Sequence, residues 1–328
     1  MMDAVGIGAL NLDLIYQVSS LSLGDRAFKP GAETFGTSRQ LSELIPKLGQ
    51  RGELRGCSGG GSAANTIYAL ARMGFATGFV GVVGEDEGAD IILKGMKGVD
   101  LQRVRRQGES GVCLSLIAEE DRALMVCPNA NDRLVINEHD IEYVNRFRLV
   151  HMSSFVADEG LRQQVKAAKR LSDQTILSFA PGELYARRGR KALRSLLERS
   201  DVLFVNEREV WHLTGKKDEL EAVEELHEEG VSTVACTLGG KGSLVMTEQG
   251  LIKVPAIKAD VVDKTGGGDV YAAGFLAGML LEWKPRDCAC FGAKVAAKSI
   301  GGVGRSAYPE ERDVQDHLRE MKGRRKEC

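Results

Sequence analysis

Long apolar runs are missing from this 328-residue chain: no segment approaches the roughly 20 apolar residues of a membrane-spanning helix. The amino-terminal MMDAVGIGALNLD has neither a basic start nor a long apolar stretch, so the sequence predicts a cytoplasmic protein with no membrane partner. An excess of one charge is missing too, since 44 Lys and Arg stand against 46 Asp and Glu for a formal net charge of -2. That balance does not favour nucleic acid as a partner. The basic runs Arg103-Val104-Arg105-Arg106 and Arg324-Arg325-Lys326 read as solvated faces or chain ends rather than anion patches. The cysteines, at 57, 113, 127, 236, 288, 290 and 328, form no C-x-x-C pair and read as reduced core residues. Seven prolines mark no linker, and no internal repeat or low-complexity tract is visible.

What is present is an ordinary globular composition, 43% apolar and 27% charged, on a chain long enough to bury one large core. Short β-rich runs alternate with helical patterns, which predicts an α/β fold with a doubly wound, mostly parallel sheet flanked by helices. Candidate strands are Ala4 to Ala9, Gly78 to Val83, Leu149 to Ser153, Thr175 to Phe179, Val202 to Val205, Thr233 to Thr237 and Ser243 to Met246. Helical patterns cover Ala63 to Met73, Asp158 to Leu171, Arg190 to Glu198, Asp218 to Glu229, Val270 to Leu281, Arg286 to Ile300 and Glu310 to Met321. Two stretches break the alternation, Tyr16 to Cys57 and Val112 to Val126, and these are expected to build a small β lid on a single domain spanning residues 1–328.

The strongest chemical signal is Val262-Asp263-Lys264-Thr265-Gly266-Gly267-Gly268-Asp269, running straight into the apolar pattern VYAAGFLAGML. Glycines let backbone approach a ligand, and N–H groups at a helix start carry partial positive charge, so this corner suits a phosphate in flight. Asp269 places a carboxylate beside it, able to accept a proton from an attacking hydroxyl. Alone, the segment has a lesser alternative reading as a tight turn with a dipole-stabilising Asp. A second cluster, Gly59-Gly60-Gly61-Ser62-Ala63-Ala64-Asn65-Thr66, also precedes a helix, and Asn65 can both donate and accept there. Near the start, Asn11 and Asp13 follow the first strand, where parallel sheets place ligands, although either might equally cap a turn.

Gly59 to Thr66, followed by Gly74 and Gly84, with Asp263 to Asp269 near the other end, resembles the ribokinase (PfkB) carbohydrate-kinase family from about Val5 to Pro309. The resemblance implies that family's doubly wound fold with a β lid, ATP and Mg²⁺ as donor and cofactor, and a small sugar or nucleoside as partner. It implies Asp269 as base, the N–H groups of Gly266, Gly267 and Gly268 as an anion hole, and Asn11, Asp13, Gly60, Gly61 and Asn65 around the acceptor. Asn206-Glu207-Arg208-Glu209 resembles the family's N-x-x-E element, with Glu209 addressing Mg²⁺ through water. Thr237-Leu238-Gly239-Gly240-Lys241-Gly242 matches its nucleotide loop, so Asn206, Thr237, Gly239, Gly240, Gly242 and Lys264 are the expected ATP-side residues. Asp263 and Thr265, near Gly302, Gly304 and Ser306, match a monovalent-cation site of some relatives, which implies K⁺.

Other nucleotide motifs fail: Lys241 is followed by Gly242 and not by Ser or Thr, and the first strand runs into Gly6-Ile7-Gly8-Ala9-Leu10-Asn11 rather than G-x-G-x-x-G. The family's pattern is departed from at Lys264 and Gly267, at Phe179-Ala180-Pro181 where many relatives carry an Asp before the Pro, and in a longer 11–59 segment. A sugar-kinase reading leads, a nucleoside kinase is the alternative, and a non-catalytic sensing module is disfavoured by the intact Asp269 motif. Phe28, Phe35 and Phe155 read either as stacking surface or as core, and exposed lid edges make a lid-mediated homodimer an expectation.

Overall fold

A strand buried on both faces has no reason to alternate polar and apolar residues, and Thr77–Val83 is buried at every position. In the computed structural model, which describes residues 1–23, 26–30, 33–118 and 121–324, this strand belongs to a nine-stranded sheet. The spatial order is Gly250–Val254, Ser243–Thr247, Thr233–Thr237, Val202–Asn206, Ile176–Ala180, Phe147–Ser153, Met2–Ile7, Thr77–Val83 and Val99–Arg106. Ser243–Thr247 runs antiparallel to both of its neighbours, and the other contacts are parallel. From Met2–Ile7 the chain builds one wing of the sheet and then returns to Phe147–Ser153 to build the other. The crevice beyond the carboxyl ends of these two strands is thus the topological switch point where open α/β sheets bind ligands.

Two helices aim at this crevice. Ser62–Arg72 starts at Gly61, whose φ of 106° and whose α-carbon, lying where a Cβ would come within 2.1 Å of the Ala9 carbonyl oxygen, exclude any side chain. Gly267–Leu280 is apolar around its whole circumference and correspondingly buried, its first turn alone reaching the crevice. No described helix is long and apolar enough to cross a membrane.

A separate five-stranded sheet, in the order Glu33–Phe35, Asp121–Cys127, Gly111–Ala118, Asn11–Val18 and Gly52–Gly60, stands over the crevice. Its alternation is strict: Asn11, Asp13 and Cys113 face the crevice, while Leu12, Leu14, Tyr16, Val112, Leu114 and Leu116 face an apolar cluster on the other side. That far face is covered by a 14-residue helix, Ser38–Arg51, through Leu44 and Leu48.

The second sheet corrects the expected lid in two respects. It begins at Asn11 rather than Tyr16 and ends at Gly60, and a helix lies inside the stretch assigned to the β lid. The turn at 119–120 lies outside the described residues. Expected strands and helices recur with shifts of a few residues, and the run of glycines is itself helical from Gly267. The basic run at 103–106 is a partly solvated face whose cations are paired: Arg103 and Arg105 both grip the fully buried carboxylate of Asp140, at 2.6 and 2.9 Å, and Arg106 pairs with Asp90 at 2.5 Å. Residues 325 and 326 of the other run lie outside the described residues. The described cysteines form no disulfide among themselves, and of these only Cys57 is exposed, against the expectation of core burial.

Candidate active site

The first turn of Gly267–Leu280 carries Asp269 into the crevice, where helix Ser62–Arg72 meets it side on. Ser62 Oγ donates to Asp269 Oδ1 at 2.7 Å and Asn65 Nδ2 donates to Oδ2 at 2.8 Å. Thr66 Oγ1 donates to the Asp269 carbonyl at 3.1 Å, locking the two helix starts together. Burial pushes the Asp269 carboxyl above its ordinary value, against the opposing pull of the Asn65 and Ser62 hydrogen bonds and the Arg305 charge.

Asp269 and Ser62 divide two cavities. The larger, about 230 Å³, lies between the two sheets and is lined by polar groups of Asn11, Asp13, Ser62, Asn65, Asn131 and Asp269, with Phe155, Val126 and Leu184 as apolar wall. The smaller, about 90 Å³, is lined by Asn206, Glu209, Thr237, Gly268 and Asp269. A carboxylate flanked by a polar pocket on one side and a helix start on the other can take a proton from a group bound in the first while a charged group sits in the second.

Most of the residues anticipated from sequence converge here. Asn11, Asp13, Gly61, Asn65, Thr265, Gly266 and Asp269 line the larger cavity, and Gly60 presents its bare α-carbon to the Asp13 carboxylate, where a Cβ would come within 2.0 Å of Oδ2. Gly266, with φ 75°, is the helix N-cap, and the Gly267 N–H points at the Lys264 carbonyl at a long 3.3 Å. Gly239 and Gly240 lie in a turn after strand Thr233–Thr237 with open space above their α-carbons, and Gly242 closes that turn. Lys264 is exposed and lines neither cavity.

Glu209 shows two characters. Its oxygens accept from the Asn206 backbone N–H at 3.1 Å and side-chain amide at 2.7 Å, while Asn206 Oδ1 accepts from the N–H groups of Arg208 and Glu209, a complete capping box. It also faces the smaller cavity, and its pKa is pushed up to about 7 by burial, the Asn206 N–H opposing and the charges of Asp269, Glu183 and Glu33 adding. Asp263 accepts backbone N–H groups from Thr265 at 2.9 Å and Gly304 at 3.0 Å, joining the loop before the helix to the loop at 301–306. Ser306 Oγ donates to the Val303 carbonyl. Of the three phenylalanines, Phe155 lines the larger cavity, Phe28 belongs to the apolar cluster under the second sheet, and Phe35 is exposed.

Several contributors had no assigned role in the sequence reading. Buried Asn131 brackets Leu10, accepting from its N–H at 2.8 Å and donating to its carbonyl at 3.2 Å, and donates to Asn11 Oδ1 at 2.8 Å. Ser153 Oγ accepts the otherwise orphaned N–H of Ala63 at 3.0 Å. Ser62 lies inside a motif that was in view, whereas Asn131, Ser153 and Arg305 sit far away in sequence with no local pattern to mark them.

A switch point with a helix start and a carboxylate between two pockets is an arrangement suited to phosphoryl transfer. The chain belongs to the pfkB family of carbohydrate kinases, whose model matches residues 41–312. It is 32% identical to an uncharacterized sugar kinase of Archaeoglobus fulgidus, over 74% of this chain and 99% of that protein. It is 31% identical to the ATP-dependent ribose-1-phosphate kinase of Halopiger xanaduensis, over 80% and 87%. The adenosine kinase structure from Sinorhizobium meliloti shares the fold, with a TM-score of 0.86 at 22% identity, covering 97% of this chain and 99% of that one. The protein is thus an ATP-dependent kinase of a sugar or nucleoside.

Proposed function

We propose that the protein moves the γ-phosphoryl group of ATP to a hydroxyl of an uncharged sugar, free or as the sugar of a nucleoside, with Asp269 as the base. The observation that carries this is the position of Asp269 between the two cavities. The acceptor lies between the sheets, its hydroxyls paired with Asn11, Asp13 and Asn65. The triphosphate approaches from the side of Asn206, Thr237 and Gly239 to Gly242, and the N–H groups of Gly266 to Gly268 meet the negative charge in flight. The acceptor's O–H proton passes to Asp269 as its oxygen bonds phosphorus and the ADP oxygen departs. The five-stranded sheet is the lid that keeps water from this step.

The Glu209 carboxylate on the smaller cavity is a hard-oxygen donor that fits Mg²⁺ held through water; bound there, Mg²⁺ would offset phosphate charge. K⁺ at Asp263 and Thr265 has weaker support, since Asp263 lines neither cavity. Among the described residues lining the larger cavity there is no Lys, Arg or His, and this favours an uncharged acceptor over a sugar phosphate or sugar acid.

The test is ADP formation from ATP with Mg²⁺ against ribose, fructose, cytidine, adenosine and ribose 1-phosphate. A neutral acceptor is expected to lead, and Asp269→Asn is expected to lower its turnover by about 10² to 10⁴-fold. Normal turnover in that variant would sink the assignment of the base, and preference for ribose 1-phosphate would sink the neutral-acceptor reading.

A further inference from the structure

Asn65 is a two-faced side chain: its amide nitrogen donates and its oxygen accepts, and rotation by half a turn about the last bond exchanges them with little change in shape. Only one of the two orientations suits an ionised Asp269, which accepts and cannot donate. Asp269 favours that orientation on its own, and a donor on the far side of Asn65 would fix it independently of the carboxylate's protonation state.

Arg305 occupies that side. Its Nε donates to Asn65 Oδ1 at 2.9 Å, while Nη1 donates to the Gly95 carbonyl at 2.9 Å and the guanidinium carbon lies 5.0 Å from the centre of the Tyr68 ring. A guanidinium has only donors, so it can face the oxygen of Asn65 and never the nitrogen. The remaining nitrogen, Nη2, is buried with no hydrogen-bond partner, and among the described residues Arg305 has no carboxylate within ion-pair distance. Its charge is therefore not absorbed by a local pair. Asp269 is the carboxylate it reaches through Asn65, and that charge opposes the effect of burial there.

We infer that Arg305 is a positioning residue for phosphoryl transfer: by fixing the amide of Asn65 with its nitrogen toward Asp269, it sets the direction of the carboxylate that receives the acceptor's proton. The chain of contacts runs Arg305 Nε to Asn65 Oδ1, then Asn65 Nδ2 to Asp269 Oδ2. Ser62 holds the other carboxylate oxygen, so the group is clamped at both ends and its remaining lone pairs are aimed. The inference rests on the proposed role of Asp269, but its structural part can be tested without any acceptor.

The side-chain amide resonances of Asn65, assigned in the full chain by their loss in Asn65→Ala, report both contacts. Arg305→Met is expected to shift them and Asp269→Asn to shift them as well, while Arg305→Lys, which keeps a donor and the charge, is expected to restore most of the wild-type position and guards against a variant that fails to fold. Unmoved resonances in a folded Arg305→Met protein would overturn the relay. With the acceptor found in the panel, Arg305→Met is expected to lower kcat by about 10- to 100-fold. In an Asn65→Ala background the same change is expected to cost less than about twofold, because the link is already cut. Equal losses in both backgrounds would make Arg305 a merely structural residue. Failure of Asp269→Asn to lose turnover would instead remove the proposed base and leave the resonance result standing.

Discussion

Glu209 shows how one carboxylate can satisfy a local and a distant requirement together. Locally it is the N3 partner of an Asn206 capping box, and any reading of residues 206–209 alone would stop there. Its position on the cavity shared with Asp269 comes only from the packing of strand Val202–Asn206 beside the crevice. The two roles separate chemically, because Gln keeps the backbone half of the box, its oxygen accepting the Asn206 N–H, and loses the charge together with the acceptor for the exposed Asn206 side-chain amide. Glu209→Gln should therefore leave thermal stability almost unchanged and raise the Mg²⁺ concentration for half-maximal turnover by about tenfold or more. A magnesium titration of the variant beside the wild type checks this, and superimposable curves would confine Glu209 to capping.

At the scale of elements, the helix Ser38–Arg51 is the instructive case. Its signals were present: Thr37 and Gln40 make a capping box, and Leu41, Leu44, Ile45 and Leu48 fall at helical spacing. Pro46 and Gly49 inside the span, and the polar residues around it, made the whole stretch read as irregular. Tertiary packing overrides both breakers, because the far face of the second sheet needs a cover and this helix supplies it. The same packing leaves only the sheet's edges, Glu33–Phe35 and Gly52–Gly60, for any association between copies of the lid. Leu48 is fully buried in that layer and Leu54, on the edge strand, is 49% exposed. Leu48→Ala is expected to cost about 2 to 5 kcal/mol in denaturant unfolding, and Leu54→Ala less than about 0.5 kcal/mol. Equal costs would mean that the helix does not seal the sheet.

For the molecule as a whole, legibility followed the distance over which a feature is decided. The central strands were readable because burial on both faces leaves an unbroken apolar run, and the glycine-to-helix corners because a phosphate site imposes its residues within one short segment. Asn131, Ser153 and Arg305 were not readable, since each meets its partner across 90 residues or more and neither periodicity nor composition records such a meeting. The same holds for the groups that set stability against acid. His151 is fully buried on a central strand beside Ser178, and burial holds its pKa down at about 3, against about 6.5 for an unfolded chain. The unfolded state therefore binds a proton that the folded state refuses, and stability falls as the pH drops below about 6.5. Asp140 acts in a lower window: its Asn137 backbone hydrogen bond and the two arginines outweigh burial and hold its carboxyl below the usual range. Its stabilising contribution is complete above the unfolded value near 3.9 and is lost as the pH falls through the folded one. Glu209 acts oppositely: its folded value of about 7 lies above the unfolded one near 4.3, so its contribution to stability rises as the pH falls through that interval and offsets the His151 loss. Thermal unfolding of the wild type and His151→Leu, followed side by side from pH 8 to pH 3, isolates the histidine: the variant should gain on the wild type as the pH drops below about 6.5, and a difference that stays constant with pH would remove His151 from the acid sensitivity.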